Sequence, residues 1–297
     1  MSHTVAVTGA TGHVGGGLAR GLRERGVNVR AVGRHADRLM AVAPGVDVRV
    51  AALDDVGALT KAFEGADAAF VLIPPSYGEK DFRGYQRRMG DSIVRAVEAA
   101  RVPRVVTLSS IGADVESGNG PIAGLHELEK RLEAIAGLHV LHLRPTYFME
   151  NELNSIGLIK SAGIGGSALK ADKPIPLVAT RDIAAAAVPI LADPTFTGHS
   201  FRELLGPRDY TPRELTRILG EAVGRPELPH VEFPYDDTRK GLEKAGISPD
   251  LARLFVEMYE AFNEGRVRPI QGRGPQTTTP TTFEAFAKEV FAPAYGG

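Results

Sequence analysis

The feature that most constrains this chain is a glycine turn close to its N-terminus. An apolar run at residues 5–7 leads into Thr8, and Gly9, Gly12 and Gly15 then follow at every third position before a helical pattern begins. The first glycine permits a tight turn, the second lets the backbone approach a ligand, and the third lets the helix sit against the strand. The start of such a helix presents unpaired N–H groups to an anion. The arrangement therefore predicts a site for the pyrophosphate of a dinucleotide.

The same segment supplies the predicted contacts to that dinucleotide. They are Gly9, Thr11, Gly12, His13, Val14 and Gly15. Two further glycines, Gly16 and Gly17, fall inside the predicted helix, where each costs roughly 1 kcal/mol relative to alanine. The sequence alone gives no reason for these two.

The first half of the chain alternates between short apolar runs and longer amphipathic stretches. Strands are predicted at residues 4–8, 27–32, 46–50, 68–73, 104–108 and 139–143. Helices are predicted between them at residues 14–25, 36–41, 56–63, 82–100 and 125–136. This alternation predicts an α/β fold with a doubly wound parallel sheet, because crossovers between parallel strands are almost always right-handed. Residues 1–150 are therefore predicted to form a dinucleotide-binding domain of Rossmann type.

The second half loses this alternation after Pro145. Its predicted helices are residues 183–191, 214–223 and 251–264, and its predicted strands are residues 200–205 and 231–233. A capping box from Thr211 to Glu214 marks the start of one helix. Residues 151–297 are predicted to form a smaller, mostly helical substrate lobe, with a segment at about 176–205 packing back on the sheet. Residues 271–282 are rich in glycine, proline and threonine and are predicted to be a surface loop.

The composition excludes several classes of function. The 297 residues carry a net charge of −1 with mixed signs, so no basic face indicates nucleic acid. Cysteine is absent, which excludes disulfides and thiolate catalysis, and the histidines lack the spacing of a metal site. The N-terminus does not resemble a signal peptide, and no apolar run reaches transmembrane length. We expect a cytoplasmic monomer or homodimer that acts on a small-molecule substrate, with no metal, nucleic acid or membrane.

The end of the second predicted strand indicates which dinucleotide binds. An acidic residue there would bond the ribose 2′-hydroxyl of NAD, whereas an arginine accommodates the 2′-phosphate of NADP. Here the strand ends at Arg34 without a carboxylate, which predicts NADP(H); Arg38, one turn further, either assists or is simply solvated. After the third strand, Asp54 is predicted to contact the adenine. The alternative is a helix cap, the role that Asp55 would have.

Further candidate contacts lie where the fourth and fifth strands end. Ile73 and Pro74 end the fourth strand, since proline cannot continue a central strand, and Ser109 and Ser110 follow the fifth. Ligands of open α/β sheets bind outside the carboxyl ends of the strands. We therefore expect Ile73, Pro74 and Ser109 to contact the cofactor, and Ser110 to contact substrate or nicotinamide. The alternative for the serines is hydrogen bonding to their own backbone.

His126 and Lys130 lie one turn apart on the next predicted helix. They face away from its apolar stripe, so they point either to solvent or to an open cleft. Charged or polar pairs at this spacing commonly occupy a solvated face. The spacing alone therefore leaves both interpretations open.

The chain resembles the NmrA-like family of atypical short-chain dehydrogenases/reductases over most of its length. The resemblance is carried by the glycine motif at residues 8–15, by Ser109 and Ser110, and by the helix with His126 and Lys130. It is also carried by the stretch Arg-Pro-Thr-Tyr-Phe-Met-Glu-Asn at residues 144–151 and by residues 180–184 and 205–215. The glycine motif is specific for the superfamily, and the 144–151 stretch is more specific for this family.

The resemblance implies roles for several residues. Ordinary members of the superfamily use a Tyr-x-x-x-Lys pair, in which the lysine binds the nicotinamide ribose and the tyrosine passes a proton to the substrate. This chain retains Lys130 and has His126 at the tyrosine position, so His126 either donates the proton or only shapes the site. The resemblance also implies that the backbone of residues 145–151 lies beside the nicotinamide, so Pro145 and Phe148 are expected there. Tyr147 and Phe148 either form an aromatic wall for a flat substrate or are ordinary core aromatics.

We therefore predict an NADPH-dependent oxidoreductase that transfers hydride to an aromatic, quinone-like or carbonyl acceptor of small or medium size. His126 is the first candidate for the proton donor, and Ser110 and Tyr147 are the others. Two alternatives remain open from the sequence. One is a redox sensor that binds NAD(P)(H) and regulates a partner protein without a proton donor. The other is an isomerase or epimerase that retains its cofactor.

Overall fold

The computed structural model describes residues 3–297 and centres on a parallel sheet built from the β-branched and apolar runs of the sequence. The strands of the described residues are β1 (Thr4–Thr8), β2 (Asn28–Gly33), β3 (Asp47–Val50), β4 (Ala68–Val71), β5 (Arg104–Leu108), β6 (His139–Pro145), β7 (Tyr147–Phe148), β8 (Gly165–Ser167), β9 (Ile175–Val178), β10 (His199–Leu204), β11 (Asp209–Tyr210) and β12 (His230–Glu232).

Helices cover both faces of this sheet and fill the second half of the chain. They are α1 (His13–Glu24), α2 (Ala36–Met40), α3 (Val56–Phe63), α4 (Phe82–Ala100), α5 (Ala123–Glu133), α6 (Ile156–Ala162), α7 (Thr180–Ala192), α8 (Pro212–Ala222), α9 (Tyr235–Lys244), α10 (Pro249–Glu264), α11 (Phe283–Phe286) and α12 (Ala292–Gly296). Short 3₁₀ segments occur at Gly120–Ile122 and Met149–Ser155, and one π-helical turn occurs at Ala287–Phe291.

The seven strands of the central sheet run in the order β10-β6-β5-β4-β1-β2-β3, and every neighbouring pair is parallel. This confirms the predicted doubly wound α/β fold. The strand order reverses between β1 and β4, which is where open sheets of this kind bind ligands. The predicted fourth strand was two residues too long, because the N–H of Leu72 turns toward the Thr8 hydroxyl, 3.3 Å away.

The close packing of α1 explains Gly16 and Gly17, which no sequence pattern accounts for. A Cβ on Gly16 would lie 3.0 Å from the carbonyl oxygen of Ala10, at the edge of what the turn tolerates. A Cβ on Gly17 would lie 2.9 Å from Cβ of Ala184 on α7, which packs along α1. Both glycines therefore allow α1 to approach its neighbours more closely than alanine would.

The second half of the chain contributes to two different parts of the molecule. Helix α7 packs on α1, and β10 pairs with β6 in the central sheet. The remaining segments form the lobe, which is largely helical and has its own apolar core. Two small sheets, β11-β9-β7 and β12-β8, also belong to it; only β12 among their strands was predicted.

The predicted surface loop at residues 271–282 is partly wrong. The segment has no helix or strand, but Thr281 is buried and donates from its N–H and hydroxyl to the Asp182 carboxylate, at 2.9 and 2.8 Å. Gln271 donates its N–H to the fully buried carboxylate of Glu203 at 2.6 Å. Buried carboxylates need such donors, so the segment is held against the interior.

Candidate active site

The glycine turn joins β1 to α1 as the sequence predicts. Gly9 has a φ of 62°, in the left-handed region that favours glycine, and the N–H of Gly12 donates to the Gly9 carbonyl oxygen at 2.9 Å. A Cβ on Gly15 would overlap that same carbonyl group. Gly9 is therefore required by the shape of the turn, and Gly15 by the contact between helix and turn.

Gly12 has a different reason to be glycine. Its φ of −90° and ψ of 174° are extended values that any residue adopts. A Cβ on Gly12 would meet only the carbonyl oxygen of Gly9, at 3.3 Å. That oxygen would have to move by a few tenths of an ångström. Neither the backbone conformation nor packing inside the protein therefore strictly requires glycine at position 12. A side chain there would project into the open space in front of α1.

The N-terminus of α1 has the properties of an anion site. Within the described part of the chain no side chain caps it, and no acidic residue lies in its first turn. Helices α3 and α4, by contrast, are capped by Asp55 and Asp81, whose carboxylates accept backbone N–H groups at 2.9 and 2.8 Å. The first-turn amides of α1 are therefore left for an external acceptor.

The carboxyl ends of β2, β3 and β4 meet around Tyr85 on α4. The hydroxyl of Tyr85 donates to the Pro74 carbonyl oxygen at 3.0 Å, and the charges of Arg34 and Asp54 both act on this phenol. Arg34 and Asp54 are exposed and make no hydrogen bond or ion pair among residues 3–297. Asp55 is the residue that caps α3, which leaves Asp54 without a capping role.

The serines after β5 differ in their surroundings. Ser109 is buried, its N–H donates to the Leu143 carbonyl oxygen at 2.7 Å, and its hydroxyl has no hydrogen-bond partner within the described part of the chain. Ser110 is half-buried. Because buried hydroxyls are nearly always bonded, the Ser109 hydroxyl is a candidate for a ligand contact.

His126 faces the loop after β5. Its Nδ1–H donates to the carbonyl oxygen of Ala113 at 2.8 Å. A neutral imidazole that carries its proton on Nδ1 has none on Nε2, so only a protonated ring could donate from Nε2. The contact shows His126 holding this loop against α5.

Lys130 points elsewhere. Its side chain is 58% exposed, and its ammonium forms an ion pair with Glu133 at 2.9 Å, further along α5. The structure describes no contact between Lys130 and the glycine turn or the serines after β5. The ribose-binding role that the resemblance implies for Lys130 would require this ion pair to open.

The stretch at residues 144–151 holds the site together in ways that the sequence did not indicate. Arg144 binds Glu129 of α5 through two hydrogen bonds of 2.9 and 2.5 Å, and the two side chains are only 7% and 1% exposed. Glu150 accepts the N–H and hydroxyl of Thr180 at 3.0 and 2.6 Å, so α7 begins three residues before the predicted start. Their partners are distant in sequence, and no local pattern points to them.

Two aromatic residues of this stretch face opposite sides, as neighbours on a strand do. Phe148 packs against the core of the central sheet, and Tyr147 packs against the core of the lobe. The structure thus places Phe148 toward the sheet and the glycine turn, and Tyr147 toward the lobe.

Comparison with known proteins identifies the family of this chain. The sequence pattern of the NmrA-like family matches residues 1–287. The chain belongs to the NmrA-like family. It is 33% identical over 263 residues, 88% of each chain, to a (4-alkanoyl-5-oxo-2,5-dihydrofuran-3-yl)methyl phosphate reductase of Streptomyces griseus. It is 25% identical over 264 residues, again 88% of each chain, to quinone oxidoreductase 2 of Escherichia coli. The predicted membership is thus confirmed.

Solved structures share the NmrA-like fold. An NADPH-dependent quinone oxidoreductase of Escherichia coli in complex with NADPH superposes with a TM-score of 0.81 and 24% identity, covering 97% of this chain and 99% of that one. A triphenylmethane reductase of Citrobacter in complex with NADP(H) gives a TM-score of 0.79 and 22% identity, covering 96% and 99%. Within residues 3–297, no helix is both long and apolar enough to cross a membrane.

Proposed function

We propose that this protein is an NADPH-dependent oxidoreductase that reduces a flat, conjugated acceptor of the quinone or carbonyl class. The observation that carries the proposal is the open space at Gly12, in front of an uncapped helix N-terminus that suits a pyrophosphate. The names of its NmrA-like relatives, which are reductases of a phosphorylated unsaturated lactone and of quinones, support this reaction class.

The residues present fit the dinucleotide along its whole length. Residues 9–15 would hold the pyrophosphate, Arg34 the 2′-phosphate and Asp54 the adenine. The partnerless Ser109 hydroxyl would bond the nicotinamide end, with Ile73, Pro74, Pro145 and Phe148 closing around the ring. When bound, NADPH supplies the hydride; the protein supplies its position and excludes water.

Arg34 should decide the preference between the two dinucleotides. We expect Arg34→Ala to weaken NADPH binding by about 10- to 100-fold, the worth of a charge-assisted contact to phosphate, and to change NADH binding less than about twofold. Arg25→Ala is the matched control, because Arg25 is exposed at the C-terminal end of α1, the end away from the glycine turn. Fluorescence titration with both nucleotides measures the effect; equal losses for NADPH and NADH would remove the 2′-phosphate role.

We assign His126 a positioning role, because its Nδ1–H holds the Ala113 carbonyl. His126→Phe removes this bond and should lower kcat about tenfold, the worth of one hydrogen bond, with unchanged NADPH affinity. His126→Asn keeps a donor near the Nδ1 position and should restore kcat to within about twofold of the wild type. If the asparagine variant is as slow as the phenylalanine variant, the ring itself transfers the proton.

Steady-state turnover tests the function directly. We expect NADPH oxidation to be stimulated by quinones and conjugated carbonyl compounds, and not by saturated ketones. The replacement of the superfamily tyrosine by His126 favours one second candidate, a redox sensor. Tight NADPH binding without turnover on any acceptor of the panel would support the sensor and contradict the reductase.

A further inference from the structure

Three ionisable side chains meet on the lobe side of the candidate site. Tyr147 lies on β7, Glu152 on the 3₁₀ segment that follows it, and Tyr259 on α10. The Glu152 charge acts on both phenols, and Tyr259 in turn acts on Tyr147, so the three groups lie close together. All three residues are half-buried and therefore reachable from solvent. They form what we call the Glu152 cluster.

The cluster lies beside the carboxyl edge of the sheet, where Tyr147 and Tyr259 pack against the apolar core of the lobe. Helix α10 is fixed across this edge, because Ser248 donates its N–H to the Tyr77 carbonyl at 2.8 Å and Asp250 accepts the Phe82 N–H at 2.9 Å. Tyr259 lies further along α10. The apolar residues next to the cluster in sequence, Leu153, Ile156 and Met258, are partly buried against the same core as Tyr147 and Tyr259.

The carboxyl group of Glu152 has no partner among the described residues. It makes no hydrogen bond or ion pair there, whereas its neighbour Glu150 is fully engaged with Thr180. Among residues 3–297, the titratable groups that act with it are Tyr147 and Tyr259, and no cation contributes to its surroundings. Burial raises the pKa of Glu152 to about 7, so near neutral pH much of it carries a proton.

The two phenols are poorer acids than Glu152. Burial and the nearby Glu152 carboxylate raise the pKa of Tyr147 well above its ordinary value and that of Tyr259 to about 12. Both therefore remain neutral and can orient a substrate oxygen or relay a proton. Nδ1 of His126 is engaged with the Ala113 carbonyl oxygen on the loop after β5. In the Glu152 cluster, the carboxyl group is thus the acid best suited to release a proton near neutral pH.

We propose that Glu152 is the proton donor of the reduction, touching the acceptor that binds between Tyr147 and Tyr259. The inference rests on the proposed function and names its acid. The acceptor takes the hydride from NADPH, which leaves as NADP⁺, and a C–H or O–H bond forms as the conjugated π bond is reduced. The acceptor oxygen takes the proton from the Glu152 carboxyl, and the resulting carboxylate regains a proton from water.

The pH dependence of kcat/KM with a quinone and saturating NADPH tests this role. In the wild type, we expect kcat/KM to fall as pH rises through about 7, because the donor ionises. Glu152→Gln should lower kcat by about 100-fold at pH 6 and abolish this fall, with NADPH affinity unchanged. Glu98→Gln is the control, because Glu98 is exposed near the far end of α4; it should behave as the wild type.

The protonation of Glu152 can also be measured directly, without turnover. Infrared difference spectroscopy of the wild type without nucleotide should show a protonated carboxyl band that disappears with a midpoint near pH 7. The Glu152→Gln protein should lack this band. The pKa is raised on folding, so this group stabilises the folded state less as pH rises from about 4.5 to about 7. As pH rises over that range, the urea midpoint of Glu152→Gln should therefore increase relative to that of the wild type.

The outcomes separate the inference from the proposed function. An unchanged alkaline fall in Glu152→Gln, the absence of the band, or a raised KM with unchanged kcat would each overturn the role of Glu152 while leaving the reductase intact. A wild type that does not bind NADPH would overturn the proposed function and the inference together.

Discussion

Replacing Gly12 with valine is expected to weaken NADPH binding by at least about 100-fold, roughly 2.7 kcal/mol, while the protein stays folded. The valine side chain would occupy the space in front of α1 that the pyrophosphate needs. The backbone at Gly12 is extended, which valine adopts readily, and inside the protein its Cβ would meet only the Gly9 carbonyl oxygen at 3.3 Å. Fluorescence titration gives the affinity, and thermal unfolding shows that the fold is kept.

Two other glycines provide the comparison. Gly241→Val on α9 introduces the same side chain where a Cβ meets nothing within 4 Å, and it should leave NADPH affinity unchanged. Gly15→Ala should lose stability as well as binding, since its Cβ would overlap the Gly9 carbonyl. Normal NADPH affinity in Gly12→Val would show that the nucleotide does not lie against this turn.

Replacing Arg144 with methionine is expected to lower the free energy of unfolding by about 3–5 kcal/mol. The change leaves the Glu129 carboxylate buried, 1% exposed, without the two hydrogen bonds that now satisfy it. It also removes the guanidinium that lies 4.2 Å above the Phe201 ring. Urea denaturation at neutral pH measures the loss. Because Glu129 lies one turn after His126 on α5, we expect kcat to fall as well.

A double variant separates the unpaired charge from general damage. Glu129→Met combined with Arg144→Met removes both charges and should recover most of the stability lost in the single variant. Arg213→Met breaks an exposed ion pair with Asp172 and should leave the urea midpoint nearly unchanged. If Arg144→Met is no less stable than Arg213→Met, the buried pair does not hold α5.

The parts of the fold that the sequence predicted are those encoded by local patterns. The inner strands β1, β4, β5 and β6 of the central sheet are short runs buried on both faces, and the capping box from Thr211 to Glu214 is formed as expected. The glycine turn was predictable because its motif spans only seven residues: Gly9 and Gly15 answer local constraints of the turn, and Gly12 leaves space for a ligand. Such features need no knowledge of distant partners.

The features that escaped prediction depend on partners far apart in sequence. Arg144 meets Glu129 across β6 and α5, and the tail at residues 271–282 is held by Asp182 and Glu203. Glu152 is an ordinary glutamate in the sequence, and Tyr259, the phenol that α10 adds beside it, lies far away along the chain. Long-range packing, which periodicity and motifs do not encode, determines the polar interior of this site.

In the proposed function, a dinucleotide binds through its pyrophosphate at the start of α1, and Arg34 selects the phosphorylated form. Isothermal titration calorimetry with NADPH, NADP⁺, NADH and NAD⁺ tests it most directly. We predict saturable binding of NADPH and NADP⁺, each at least about tenfold tighter than its counterpart without the 2′-phosphate. No measurable heat with any of the four nucleotides would contradict the account.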